Sequence, residues 1–269
     1  MSAVLARSTT RRTVLVAVTV AVAALAAVPT LVSAPASAGS SSYNLSYQTF
    51  PDGHRAVARW NPCQKAITYL VNTTYSGSTS SARAHALSDV KGAFARLSKA
   101  TGMTFRYAGS TTSIPKDSGS ANWASRESYA EIYVAWVKQT TSSGYSDLLG
   151  QSGSGWAAGS GGYAYKFWKV GSDPWRGVTG RGFVVLDSDQ NSKFASGFGS
   201  GTTRGDLLLH ELGHVVGLNH VTAKAQVMYP TIQPKSAAGY SSGDALGLSK
   251  LGRSQGCIDY PSWVWKDLS

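Results

Sequence analysis

Residues 210–220 of this chain read HELGHVVGLNH, and this stretch decides the fold because it places a helix, the end of that helix and three histidines. Side chains four residues apart on an α-helix lie on the same face, about 6 Å apart along the axis, so His210 and His214 project together. Two imidazoles in this arrangement can bind one Zn²⁺ at the ~2.0–2.1 Å that zinc–nitrogen bonds require. Glu211 lies between them in angle, where its carboxylate can face a water molecule on the same ion.

Gly217 allows a third histidine to reach that ion. If the helix continued, His220 would lie about 15 Å beyond His210 and off the shared face. Glycine adopts the left-handed conformation that ends a helix and reverses the chain, so the turn at 217–219 can bring His220 back. Three neutral histidines leave the charge of a zinc ion intact and one coordination position open, which lowers the pKa of a bound water to about 7.

The histidine spacing favours a metal site over a structural explanation. Isolated histidines beside helices are usually structural, and a short HExxH pattern can arise by chance. Here three of the five histidines fall within residues 210–220, whereas His54 and His85 have no such neighbours and receive no role. Glu211 is flanked by apolar residues, and a buried carboxylate needs a partner. Water on the metal supplies one, so we predict that Glu211 is the general base and passes the proton to the leaving amine.

The first 38 residues have the layout of a secretory signal. Three arginines precede an uncharged apolar run at 13–28, and small residues at 36–38 suit signal peptidase. A membrane-spanning helix is the alternative, but a span needs about 20 apolar residues and this run is shorter. We therefore expect secretion, cleavage near Ala38-Gly39 and a mature domain at 39–269. The alanine-rich run resembles bacterial signals, and the paired arginines leave the Sec and Tat routes open.

Composition narrows the class of partner. The chain carries 25 Lys and Arg against 14 Asp and Glu, and the signal holds three of the arginines and no acid. The 22 remaining basic residues are scattered singly, so nucleic acid is not an expected partner. Electrostatic association with an anionic cell wall is the alternative to a plain soluble basic protein, which we expect to be a monomer. A hydrophobic content of 42% excludes wholesale disorder.

The two cysteines are too few for a disulfide-built scaffold or a cysteine-type zinc site. In the oxidising environment that follows export, Cys63 and Cys257 can pair. Their bridge would tie one end of the mature domain to the other and close a loop of about 200 residues, for which chain entropy gives an upper figure of about 5 kcal/mol.

Hydrophobic periodicity predicts one α+β domain, with no internal repeat and no domain linker. Thr203 and Asp206 form a capping signature at the start of the histidine helix. The Gly-rich segment 144–162 is predicted as a long loop, and 39–50 as a loose arm. The predicted helices are 81–101, 204–216 and about 243–251, and the predicted strands are 66–71, 103–107, 130–137, 163–170 and 182–186.

The pattern HExxHxxGxxH, followed eight residues after His220 by Met228, resembles the signature of the metzincin metalloproteases and their Met-turn. Met228-Tyr229-Pro230 is similar to the Met-turn of the matrixin branch, in which the methionine forms a hydrophobic base beneath the metal. The segments 66–71, 81–101, 130–137 and 242–248 resemble the first strand, first helix, a later strand and the closing helix of matrixins.

The resemblance implies a single catalytic domain with a twisted, mostly parallel sheet, an antiparallel edge strand, a central zinc-binding helix, a Met-turn and a C-terminal helix. It further implies a shallow cleft in which substrate lies antiparallel to the edge strand. The segment 162–165 is the candidate edge, so Tyr163 and Ala164 are predicted to contact substrate. Tyr229 and Pro230 are predicted to line the pocket for the side chain after the scissile bond.

The chain also departs from the matrixin pattern. Val221 follows the third histidine, where matrixins usually have serine, so the branch stays open. Asp187 and Asp189 are candidate ligands for Ca²⁺, but nothing else in the sequence supports a calcium site. Two acidic residues after a strand more often start a turn.

The leading hypothesis is a secreted zinc endopeptidase that hydrolyses protein or peptide substrates through a metal-activated water, with Glu211 as general base. A cell-wall or glycan-binding module on a metzincin scaffold is the alternative of a different class, motivated by 8 Trp and 13 Tyr. A zinc amidase acting on a cell-wall cross-link is a third, because the zinc motif is equally compatible with it.

Overall fold

The computed structural model describes residues 18–19, 42–117, 123, 130–153, 155–234 and 238–265. Within them, a seven-stranded sheet forms the framework of the molecule. Its strands are β1 (Val18–Thr19), β4 (Arg59–Trp60), β5 (Ile67–Asn72), β6 (Phe105–Ser110), β7 (Ile132–Val137), β10 (Gly159–Trp168) and β11 (Arg176–Asp187). Short hairpins outside it pair β2 (Gln48–Thr49) with β3 (Arg55–Ala56), and β8 (Gln151–Ser152) with β9 (Gly155–Trp156).

The strand order β1-β10-β11-β7-β5-β6, with β4 alongside β11, is mostly parallel. The pairs of β5 with β6, β5 with β7, β7 with β11 and β4 with β11 are parallel, whereas β10 runs antiparallel to β11 and β1 antiparallel to β10. The structure therefore confirms the predicted α+β class and the antiparallel strand at one side of a mostly parallel sheet.

Three α-helices lie within the described residues: α1 (Ser80–Thr101), α2 (Arg204–Val216) and α3 (Ser242–Ser249). The Thr79 hydroxyl accepts a hydrogen bond from the Ala82 amide and begins α1, and Gly102 ends it with a left-handed φ of 69°. The α2 bounds equal those predicted from sequence, and the α1 and α3 bounds agree within one or two residues.

The first hydrophobic layer lies between the sheet and the helices α1 and α2. Tyr69 of β5 stacks on Phe94 of α1 with ring centroids 3.7 Å apart. An ion pair between Asp89 and Arg204, 2.6 Å and mostly buried, joins α1 to the first turn of α2. Apolar packing thus holds α1 on the sheet, and a buried charge pair joins the helix that carries the histidines to α1.

The second hydrophobic layer lies on the opposite face of the sheet, where the C-terminal segment packs on β11. The β10–β11 register shifts by one residue between Ala164 and Tyr165, so Gly180 is an extra residue in β11. An ideal Cβ at Gly180 would lie 2.3 Å from Trp265 Cε2, so the indole rests directly on the backbone there. The predicted Cys63–Cys257 disulfide is formed and joins this segment to the residues before β5.

Several segments differ from the sequence expectation. Strand β11 begins six residues earlier than predicted, and β2, β3 and β4 are not among the predicted strands. The predicted loop 144–162 contains β8 and β9 and the start of β10, a strand that begins four residues earlier than predicted. The glycines at the start of β10 made this part of the strand hard to predict, because glycine is depleted in strands. The expected loose arm is ordered by hydrogen bonds over its described part, 42–50, as set out below.

The expected signal segment, with its cleavage site at 36–38, lies outside the described residues apart from Val18–Thr19. Within the described parts of the chain, no helix combines the length and the apolar character needed to cross a membrane.

Candidate metal centre

The three histidines converge because α2 ends where the sequence predicts. Thr203 Oγ1 accepts a 3.1 Å hydrogen bond from the Asp206 amide and caps the start of the helix. Gly217 ends it with a left-handed φ of 108°, and its amide donates back to the last turn. His210 Nε2 lies 3.1 Å from Nε2 of both His214 and His220. Among the described residues, this is the one group of three or more His, Cys, Asp or Glu side chains able to hold a metal ion.

Two backbone carbonyls orient the helical histidines. His210 Nδ1 donates to the Val227 carbonyl at 2.7 Å, and His214 Nδ1 donates to the Leu218 carbonyl at 2.9 Å. Because a carbonyl can only accept, each Nδ1 carries the hydrogen and each Nε2 presents a lone pair. Two lone pairs face each other at 3.1 Å with no hydrogen of a neutral ring between them. A cation between them removes this repulsion, so the donor set fits Zn²⁺.

Burial keeps the ligands in the form that binds metal. Burial, followed by the charge of His220, lowers the pKa of His214 to about 3. Burial also lowers the pKa of His220 below its usual value. Both imidazoles are therefore neutral at pH 7, and no proton has to be displaced before a metal ion binds.

Glu211 is wholly buried beside these ligands, between α2 and the start of β10. Among the residues that the structure describes, neither of its carboxylate oxygens has a hydrogen-bond partner of normal geometry. Burial raises the pKa of Glu211 well above its usual range, and the nearby amide of Gly161 opposes this rise. A buried carboxyl group without strong partners is costly for stability, so its presence calls for a functional explanation.

Met228 packs against α2 at Gly213, the residue before His214. Its side chain is buried, and an ideal Cβ on Gly213 would lie only 2.4 Å from its sulfur. The glycine between the two helical histidines therefore makes room for the methionine. Asp244 of α3 holds the turn, because its carboxylate accepts the amides of Val227 at 2.6 Å and Met228 at 3.2 Å.

The start of β10 lies directly on α2. An ideal Cβ on Gly161 would lie 2.2 Å from the Glu211 carbonyl oxygen, and one on Gly159 would lie 2.9 Å from Glu211 Oε1. Only glycine permits this approach. The stretch of β10 in contact with the general-base candidate is therefore 159–161, directly before the segment 162–165 that is predicted as the substrate edge.

The residues predicted to contact substrate lie in different environments. Tyr163 is buried, and its hydroxyl accepts a 2.5 Å hydrogen bond from Gln48 Nε2. Ala164 is buried in the second hydrophobic layer, so these two side chains do not face an open cleft. Tyr229 and Pro230, directly after Met228, are half-buried.

Asp187 is accounted for by a turn. It accepts the Asp189 amide at 3.0 Å and the side-chain amide of Gln190 at 3.2 Å. Burial raises the pKa of Asp187, which disfavours the charged form that calcium binding needs.

Sequence reasoning missed the residues that support the ligands from a distance. The carbonyls of Val227 and Leu218 have no side-chain signature. Asp244 carries a weak one, since Ser241 and Asp244 have the spacing of a capping box and the Ser241 amide donates to Asp244. Gly213 had no recognised role, because only the position of Met228 in space explains it.

The sheet, the histidine helix and the turn at Met228 are similar to the corresponding features of the metzincin zinc metalloproteases. Residues 165–251, which contain all three histidines, Glu211 and Met228, match the family model described as Matrixin. This part of the chain, about a third of its length, is thus similar to matrixins, and that family indicates zinc-dependent endopeptidase activity. Comparison with curated proteins gave no match.

Proposed function

We propose that the chain is a secreted zinc endopeptidase in which His210, His214 and His220 hold the ion and Glu211 is the general base. The observation that carries the proposal is the convergence of three histidine Nε2 atoms next to a buried carboxylate without strong partners. A zinc ion held by these three histidines would polarise the scissile carbonyl and lower the pKa of a bound water.

Glu211 is suited to move a proton. Burial raises the pKa of Glu211 well above its usual range, so its carboxyl group holds a proton more readily than an exposed glutamate does. A cation on the three histidines would oppose this rise and favour the carboxylate form that accepts a proton. Glu211 takes the proton of the attacking water and delivers it to the amine that leaves.

The edge of β10 is suited to hold an extended peptide. Val18 pairs with Gly161 and Thr19 with Ser160 in antiparallel register, so this edge accepts a further strand next to Glu211. Backbone hydrogen bonds to an added strand bind a peptide with little dependence on its side chains. This feature favours a peptide substrate over the glycan-binding and amidase alternatives.

Glu211→Gln tests the mechanism, because it keeps the shape of the side chain and removes the base. We expect cleavage of a mixed peptide library to fall by ~10²–10⁴-fold, with zinc content unchanged. Asp173→Asn, at an exposed position in the β10–β11 connection, is the matched control and should retain full activity. Retained cleavage by Glu211→Gln, or a zinc-loaded wild type that cleaves no peptide, would contradict the proposal.

N-terminal sequencing of protein from the culture medium should begin at Gly39 if the chain is exported as proposed.

A further inference from the structure

The arm before β2 lies against the turn that follows the histidine helix. Leu45 and Leu218 face each other in an antiparallel bridge. The Ser46 amide donates to the Gly217 carbonyl at 2.8 Å, and the Asn219 amide donates to the Asn44 carbonyl at 2.8 Å. Two backbone hydrogen bonds therefore hold the turn on either side of Leu218.

This turn determines the positions of two metal ligands. The Leu218 carbonyl accepts the hydrogen of His214 Nδ1, and the chain from Asn219 leads directly into His220. The Asn44 side chain also reaches His220, because its Nδ2 donates to the His220 carbonyl at 3.1 Å. One short stretch of the arm thus contacts the backbone that orients His214 and the backbone that carries His220.

The arm is fixed from elsewhere in the molecule. Gln48 Nε2 donates to the Tyr163 hydroxyl of β10, and Gln48 Oε1 accepts the Ala58 amide at 2.8 Å. Ser46, Gln48 and Phe50 are buried, in the alternating pattern of a strand with one face inward. The arm therefore supplies the metal loop with a support that does not itself depend on metal.

We propose that Asn44–Ser46 is a clamp that preorganises the metal loop, which makes Asn44 and Ser46 positioning residues for His214 and His220. The loop needs such support because it begins at Gly217, the residue type that loses the most conformational freedom when it is ordered. With the arm bound, the turn is already ordered when an ion arrives. Without the arm, metal binding must also order the turn, so the ion binds more weakly and leaves faster.

Ser46→Pro and Asn44→Ala remove different parts of the clamp. Proline lacks the amide that donates to Gly217, while its fixed φ suits an extended segment. Ser46→Ala is the matched control, because it loses the hydroxyl and keeps the amide. Asn44→Ala removes only an exposed side-chain bond, so it is expected to fold whatever the fate of the proline variant. Its control is Asn72→Ala, which loses a 3.1 Å amide bond to the Ser113 carbonyl in the β5 region.

The proposal rests on the proposed function only in that the three histidines bind zinc, and its test measures binding rather than proteolysis. The zinc dissociation constant of each metal-free purified protein is measured by competition with a chromophoric chelator. The melting temperature of each metal-free form and the visible spectrum of its Co²⁺ form are recorded alongside. We expect the dissociation constant to rise ~10–100-fold for Ser46→Pro and ~2–10-fold for Asn44→Ala, with an altered Co²⁺ spectrum. Ser46→Ala and Asn72→Ala should keep the wild-type zinc affinity, even where their melting temperatures fall.

Zinc affinities of Ser46→Pro and Asn44→Ala that change no more than those of their controls would overturn the clamp. The proposed function would survive that result, because the wild type would still bind zinc and cleave peptides. A wild type that binds no zinc would instead defeat the proposed function and the clamp together. Tight zinc binding without proteolysis would defeat the endopeptidase and leave the clamp supported or refuted by the affinities alone.

Discussion

Gly213→Ala tests whether Met228 and the histidine helix are packed as closely as the structure shows. Alanine has a higher helix propensity than glycine, by up to ~1 kcal/mol, so in an open helix this change stabilises. Here the new Cβ would lie 2.4 Å from Met228 Sδ and 3.1 Å from its Cε. Normal contacts need about 3.5–4.0 Å, so the sulfur must move by more than ~1 Å inside a buried layer. Overpacking of this kind costs about 1–3 kcal/mol, which offsets the gain in propensity and leaves a net loss of up to ~2 kcal/mol.

The second effect of Gly213→Ala is on the metal. Met228 follows Val227, whose carbonyl orients His210, so displacement of the methionine also disturbs this ligand. Loss of a hydrogen bond that orients a metal ligand costs ~10–100-fold in metal affinity, and we expect a loss in this range.

A double-mutant cycle with Met228→Ala isolates the clash between Gly213 and Met228. Met228→Ala alone should cost ~2–5 kcal/mol through the cavity that it leaves. In that background Gly213→Ala has room, so it should become neutral or stabilising, with a coupling energy of ~1–3 kcal/mol. Urea unfolding of the metal-free proteins supplies the four free energies of unfolding. Additive effects, or a stabilising Gly213→Ala in the wild-type background, would refute the packing argument.

Two further predictions concern the opposite face of the sheet and the titration of a ligand. Gly180→Ala should displace Trp265, lower the free energy of unfolding by ~1–3 kcal/mol and shift the tryptophan fluorescence. It should leave zinc affinity intact, and a loss of zinc affinity would show that the two faces are coupled. The His214 pKa of about 3 lies below its unfolded value of ~6.5, so the unfolded state binds more protons between these limits and stability falls as pH falls. For the metal-free protein, His214 should contribute a loss of ~2 kcal/mol from pH 6.5 to 4.5, and His214→Gln should flatten the pH dependence of urea unfolding by that amount. An equal slope in both proteins would contradict the assignment.

Features that depend on residues close together in the sequence were predicted, whereas features that depend on contacts between distant segments were missed. The α2 helix and its three histidines were predictable because helical geometry and one glycine place them within eleven residues. The antiparallel strand β10 was predicted in part, and its start at Gly159 was missed. Two of its first three residues are glycines, and their purpose is to let the strand lie against the backbone of Glu211. Packing between distant segments overrides the low strand propensity of glycine.

The three histidines as candidate metal ligands, the general-base candidate, the methionine turn and the α+β class are all predictable from the sequence, since each depends on local spacing or on a motif. The residues that support these features can be identified only in the folded structure. Asp244 holds the Met-turn, Gly213 makes room for Met228, and Asn44 and Ser46 lie against the metal loop from more than 170 positions away in the chain. The physical reason is that such support consists of single hydrogen bonds and van der Waals contacts between segments remote in sequence. Such contacts produce no periodic pattern in the sequence, and they form only once the chain has folded.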